Sequence, residues 1–375
     1  MLSPIARGWV VRSEVPGPDV DEFADAASVT AALARSAPGS LLAVQHPHRT
    51  PAARAAGLSL DHALPAARAA LRELTRRAYR RVEDVVAAYQ VDGPDGSASG
   101  VLCMVDPKAV GDRFVRHSED VYPDVVAERA KALIGLGCAT SAALLVPVHS
   151  GEHLTAAVAA ATTARPDVST VDSSGRRHRL WLLDSPDLLA AASAAPLVVA
   201  DGNHRVAAAE RAGGLLAFIT AGPDLRIRAF HRALVGVDPA ALRAAWRDLD
   251  VRPAPEAMPP TRPGTVVAHL DGERYAITLP GGGIDHAAVE ALLTAAGVDP
   301  AGPLVRPFPD GREPADADAL LYLAPVPLPD VLAVHAAGSG CRARARSSPR
   351  SRAAACCSRS WVSPWRSRSR PTSPR

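Results

Sequence analysis

Aromatic residues make up only 4% of this 375-residue chain, so its core cannot rest on a few large rings. It has to be assembled from many small aliphatic contacts, which the abundant alanine can supply. Cysteine is scarce too. Cys103 and Cys138 lie in the body and Cys341, Cys356 and Cys357 near the C-terminus, a distribution that excludes a disulfide framework or a spaced zinc set. No window of about eighteen uninterrupted apolar residues occurs. The opening MLSPIARGWVVRSEVPG has no long apolar segment, so the chain reads as cytoplasmic with no membrane partner. Gly281-Gly282-Gly283 is not followed by the lysine and hydroxyl residue that a P-loop needs. Acidic residues stop at Asp330, whereas ten arginines fall between Arg342 and Arg375. Removing those ten charges from the net +3 leaves residues 1–341 at −7, which argues against duplex nucleic acid as a partner.

What is present is a globular composition, 47% hydrophobic, in a chain long enough for two domains. Its most informative stretch runs from Pro196 to Gly214, PLVVADGNHRVAAAERAGG. Leu197-Val198-Val199-Ala200 reads as a buried strand, and Val206–Ala212 as a helix stopped by Gly213-Gly214. Between them stands the polar pentad Asp201-Gly202-Asn203-His204-Arg205. A strand–turn–helix junction of this kind can hold an anion, because the first N–H groups of a helix lack internal partners and glycine allows close approach. His204 and Arg205 add cationic donors, and Asp201 adds a carboxylate able to bind Mg²⁺ or take a proton. The same letters also serve a plain turn in which Asp201 or Asn203 caps the helix.

A second stretch, Phe114-Val115-Arg116-His117-Ser118-Glu119-Asp120, precedes a helix expected over Pro123–Leu136. Arg116 and His117 could hold a phosphate while Glu119 acts as base, or the loop could do no more than start the helix. His231 and Arg232 are further candidates for supporting an anion, with a surface pair as the plain alternative. Two histidine pairs lack a third ligand or an HExxH frame: His46 with His48, and His149 with His153.

The rest of the chain supplies scaffold. Leu41–Val44 reads as a strand, and apolar residues spaced by three and four predict an amphipathic helix over Leu60–Gln90, with at most one break. Asp271-Gly272 between two alternating runs predicts a β-hairpin. The proline-rich Pro253–Pro263 marks a subdomain boundary, giving an α/β body over 1–250 and an α+β subdomain over 251–337. Residues 338–375 read either as a disordered basic tail or as the product of a one-base slip in GC-rich coding DNA. Gly338-Ser339-Gly340-Cys341 can be spelled so that the neighbouring frame gives Glu-Arg-Met followed by a proline codon.

With Asp201–Arg205 placed between strand and helix, VRHSE about 85 residues earlier and RLWLLDSPDLL between them, the chain resembles domain of unknown function family 1015. The pentad is similar to the phosphate-binding signature of the ParB/sulfiredoxin superfamily, which includes free-serine kinases. That resemblance implies an α/β fold with a ParB/sulfiredoxin-like core and mixed sheet, plus an additional α+β subdomain. It implies a nucleotide, ATP or ADP with Mg²⁺, cradled by Gly202, Asn203, His204 and Arg205, with Arg116, His117, His231 and Arg232 nearby. Asp201 would serve the metal or a hydroxyl nucleophile, and Glu119 the proton. The expected activity is phosphoryl transfer to a small hydroxylated metabolite; the alternative is a non-catalytic nucleotide-binding switch or adaptor. Family members carry histidine where Asn203 stands and have no residue matching Ser118 before the glutamate. The oligomeric state is left open.

Overall fold

The structure is a computed structural model. It describes residues 1–336 apart from 13–25, 37–38, 94–95, 112–113, 119–120, 173–174, 226, 228, 282–284, 301 and 310–312. Glu119 and the C-terminal tail therefore lie outside the described residues. The chain forms two compact units, one of Met1–His117 with Val121–Leu225, the other of Ser118 with the chain beyond Leu225.

The first unit contains β1 (Leu2–Ser3), β2 (Ile5–Val11), α1 (Ala26–Arg35), α2 (Leu41–Gln45), α3 (Pro51–Ala55), α4 (Leu60–Ala78), β3 (Tyr79–Gly93) and β4 (Gly96–Val105). There follow β5 (Val115–Arg116), α5 (Pro123–Leu136), β6 (Ala143–Pro147), α6 (Gly151–Ala161), β7 (Val168–Val171), β8 (Arg177–Leu183), α7 (Pro186–Ala192), β9 (Leu197–Asp201), α8 (Asn203–Ala212) and β10 (Leu215–Pro223). The strands form one sheet in the order β5-β9-β6-β10-β4-β3-β8-β7, with β1 on β4 and β2 on β3. It is mixed: β5 runs parallel to β9 and β6 to β10, and the other pairs are antiparallel. Small and branched side chains fill the core, among them Val101, Leu145, Leu197, Val199, Val206, Ala217 and Ile219, joined by Leu154 and Val158 of α6 and Leu188 of α7. Each fully buried Leu, Ile or Val there contributes roughly 1.5–3 kcal/mol.

Two local expectations are corrected. Leu41–Gln45 is helical, because buried Ser40 accepts the Ala43 N–H at 3.3 Å and so starts a helical turn. The helix expected over Leu60–Gln90 ends at Ala78, and Tyr79–Gly93 is a strand. Ladders to β2, β4 and β8 claim that segment, and pairing on both sides outweighs a helix-like spacing of valines.

The second unit contains β11 (Phe230–Leu234), α9 (Pro239–Trp246), β12 (Val251–Pro253), β13 (Thr265–Leu270), β14 (Glu273–Thr278), α10 (Asp285–Ala295), β15 (Val305–Pro309), β16 (Ala319–Tyr322) and α11 (Leu328–Ala336). Its sheet is antiparallel, in the order β12-β14-β13-β16-β11-β15. The β13–β14 hairpin turns at Asp271 (φ 52°) and Gly272 (φ 79°), the two positive φ values of a type I′ turn. The compact units divide after Leu225, ahead of the Pro253–Pro263 connector, because β11 pairs with β15 and β16 and α9 packs on α10. Among the described residues no helix is long and apolar enough to cross a membrane.

Candidate functional site

The pentad stands where β9 leaves the sheet. Leu197, Val198, Val199 and Ala200 are all buried between β5 and β6, and Asp201 is the first residue of the strand to reach the half-exposed rim. Gly202 then takes φ 96°, a left-handed conformation that glycine adopts without strain. It turns the chain directly into α8, which begins at Asn203, so Asn203, His204 and Arg205 form the first helical turn. The sequence pattern places that start three residues later. Gly202 has no side chain with which to cap the helix.

Arg205 folds back over this glycine. Its Nη2 donates to Asp201 Oδ2 at 2.6 Å and its Nη1 to the Ala142 carbonyl at 2.6 Å. One guanidinium thus ties the end of β9 to the residue preceding β6. A Cβ at position 202 would lie 2.7 Å from Arg205 Nε, so glycine is required for the crossing as well as for the turn.

Asn203 is 2% exposed, and its Oδ1 meets His117 Nδ1 at 3.0 Å. β5 makes this contact possible, since Val115 and Arg116 pair in parallel with Leu197 and Val198 and carry His117 to the start of α8. The two stretches singled out from the sequence, about 85 residues apart, meet here. His204 behaves unlike the cationic donor its residue type suggests. Its Nε2 accepts the Tyr122 N–H at 3.1 Å, and its ring stacks on Tyr122 with centroids 5.6 Å apart. Burial, then the Arg129 guanidinium and His117, hold its pKa below the ordinary 6.5, so the neutral ring is favoured.

Tyr122 and Arg129, both of α5 or its cap, are site residues that the sequence reading missed. Val126 and Ala130 of the same helix pack on Ala208 of α8. That i, i+4 apolar pair was the available signal, because it turns a face carrying Arg129 toward whichever helix covers it. His231 and Arg232 belong to the second unit. There His231 is fully buried, accepts the Leu323 N–H at 3.1 Å through Nδ1 and packs against Phe308 and Tyr322, while Arg232 donates to the His231 carbonyl at 3.3 Å. A buried pair, not a surface one, is what the fold makes of them.

Among the described residues no group of three His, Cys, Asp or Glu side chains gathers to hold a metal. Asp201 already meets Arg205 through Oδ2, so the residues fit Mg²⁺ only as an ion whose remaining ligands are phosphate oxygens and water.

Residues 18–295 match the family described as protein of unknown function (DUF1015). The chain belongs to that family. No curated protein matches it in sequence. Among solved structures, the family member is similar to a free serine kinase mutant in complex with ADP, at 12% identity and a TM-score of 0.36 over 63% of this chain and 82% of that one. It is similar to a conserved hypothetical protein from Pyrococcus furiosus, at 11% identity and 0.33 over 63% and 85%. A C-terminally truncated SbnI from Staphylococcus aureus follows, at 14% identity and 0.32 over 63% and 78%.

Proposed function

We propose that the Asp201–Arg205 turn binds the phosphates of a nucleotide, ATP or ADP carrying Mg²⁺, on a ParB/sulfiredoxin-like core. In this reading the protein transfers the terminal phosphoryl group to a small hydroxylated metabolite such as free serine. The observation that carries it is the company kept by the first turn of α8. A helix start without a side-chain cap has His117, Arg129 and Arg205 close to it, and His204 in its first turn has its pKa lowered by burial first and then by Arg129 and His117.

Phosphoryl transfer asks a protein mainly for positioning and charge neutralisation. The N–H groups of the first turn face a phosphate, the Arg205 guanidinium that crosses Gly202 borders it, and Arg129 and Arg116 add positive charge. Glu119 or Asp201 takes the proton of the acceptor hydroxyl as the new P–O bond forms and the bond to the nucleotide breaks. A second reading, a nucleotide switch without turnover, is favoured by one feature: Asp201 Oδ2 is engaged by Arg205 at 2.6 Å and not directed to a substrate.

Isothermal titration of the full chain with ATP, ADP and CTP, each with and without Mg²⁺, tests both readings. At least one nucleotide is expected to bind, about tenfold more weakly to Arg129→Gln. The absence of binding by all three removes both. Incubation of the bound form with a panel of amino acids and sugars then separates kinase from switch by the appearance of a phosphorylated product.

A further inference from the structure

An open sheet presents unpaired edges, and among the described residues the edges of this fold are unequal. β5 is two residues long. β12 ends in Pro253 and β15 contains Pro307 and Pro309, which cannot donate to a further strand. β7 has four residues and lies between Asp167 and Asp172, charges that blunt its ends. β2 is different. It has seven residues without proline, and it pairs with Tyr79–Val85, the half of β3 that no other strand joins. The β3 rim of this two-stranded ribbon is charged at Arg80, Arg81, Glu83 and Asp84, and Asp84 breaks it with φ 51°. The β2 rim carries one charge, Arg7, and meets solvent. Ala6, Arg7 and Trp9 are exposed, Trp9 by 41%, and Gly8, which is all backbone, is half-exposed. Arg7 stands opposite Glu83, whose carboxylate is taken by Arg81, so Arg7 has no ion pair among the described residues.

We infer that β2 pairs with the β2 of a second copy of this chain, antiparallel, about a two-fold axis through Gly8. Such an axis sets one residue against its own copy, so near the middle of the strand the choices are Arg7, Gly8 and Trp9. Arg7 on the axis opposes two like charges, which is destabilising. Trp9 on the axis leaves Arg7 opposite Val11 and Ala6 opposite Arg12. Gly8 on the axis sets Ile5 opposite Val11, Ala6 opposite Val10 and Arg7 opposite Trp9, each pair twice. Apolar side chains then meet apolar ones, and each unpaired guanidinium gains an indole beside it. Seven-residue strands bury less than the roughly 800 Å² per partner of a standard interface, so the dimer is weak, with a dissociation constant on the order of 10–100 μM. This pairing stands apart from the nucleotide reading.

Sedimentation equilibrium of the full chain from about 5 to about 200 μM tests it, and the mean mass is expected to rise from monomer toward dimer over that range. Trp9→Arg sets arginine opposite arginine in both outer pairs and is expected to raise the dissociation constant at least tenfold. Arg7→Trp combined with Trp9→Arg exchanges the two side chains and is expected to bring it back to within about threefold of the wild type. Gly8→Cys, on the axis, is expected to form an intermolecular disulfide in a glutathione buffer, because opposed Cα atoms stand about 4.5–5.5 Å apart. The added Cβ meets only side-chain methyls, Ile5 Cγ2 at 3.1 Å and Val82 Cγ2 at 3.5 Å. Ala6→Cys lies about 13 Å along the strand from its copy and is not expected to cross-link. Peptide mass spectrometry separates these bonds from any formed by the native cysteines. A chain that stays monomeric throughout, a dimer of unchanged strength in folded Trp9→Arg, or cross-linking of Ala6→Cys equal to that of Gly8→Cys overturns the assignment. If circular dichroism shows Trp9→Arg unfolded, the wild-type masses and the two cysteine variants decide.

Discussion

Arg205 reaches back four residues to Asp201, Nη2 to Oδ2 at 2.6 Å, across the face of Gly202. Two of the residues expected to serve a ligand are thereby partners of each other. The pair holds the exit of β9 in shape, and the Ala142 carbonyl extends the same clasp to β6.

Gly202→Ala tests that crossing. A methyl group at φ 96° is strained by about 1–2 kcal/mol and must also displace the guanidinium 2.7 Å away, which opens the clasp. Urea denaturation followed by circular dichroism is expected to show a loss of about 2–4 kcal/mol. Nucleotide affinity should fall with it.

Arg205→Lys retains the charge but cannot serve two acceptors in one plane. The expected loss is about 2 kcal/mol, the worth of a charge-assisted hydrogen bond in a half-buried setting. A variant as stable as the wild type in urea would show that the clasp contributes nothing.

Two histidines make stability pH-dependent in one direction. Burial, reinforced by the Arg232 guanidinium, lowers His286 from 6.5 to about 3, and burial with Arg129 and His117 lowers His204. Both are neutral in the fold, whereas the unfolded chain protonates them below pH 6.5. Their contribution is therefore fully present above that pH and is lost as pH falls toward the folded-state values, for His286 at about 1.4 kcal/mol per pH unit. His286→Gln, which can still donate to the Phe230 carbonyl, is expected to flatten the slope of urea stability between pH 6 and 5 by about one proton. An unchanged slope would show that His286 protonates alike in both states.

Thiol reactivity should divide the two body cysteines. Cys103 is fully buried, with its thiol pushed up to about 12 by burial, and Cys138 is half-buried with its thiol raised for the same reason. Under native conditions at pH 8, iodoacetamide is expected to modify Cys138 slowly and Cys103 only on unfolding. Mass spectrometry of the peptides with and without urea measures this.

Much of the local structure was legible in the chain. Pro123–Leu136 is the expected helix residue for residue, the Asp271-Gly272 hairpin has the expected turn, and the apolar run Leu197–Ala200 is the buried strand its β-branched residues imply. Tyr79–Gly93 was not legible. Its valines fit a helical face, and the ladders that decide otherwise come from strands far away in sequence. Within the site, the meeting of the pentad with the Arg116-His117 loop was expected from resemblance, but the contact that makes it, Asn203 to His117, depends on β5 lying in register beside β9.

Residue type and order by themselves determined that β9 must be buried, that glycine must follow Asp201 and that a helix must start close by, because these follow from branching, φ preference and orphaned N–H groups. They determined the membership of cationic and carboxylate groups in one short turn. Only the tertiary structure decided what each group does. His204 accepts where a donor was expected, because the N–H of Tyr122 reaches it from α5. Arg205 turns inward, because Ala142 and Asp201 present two acceptors at the spacing of its guanidinium. Hydrogen-bond roles are set by partners brought from elsewhere in the chain, and no sequence window contains them.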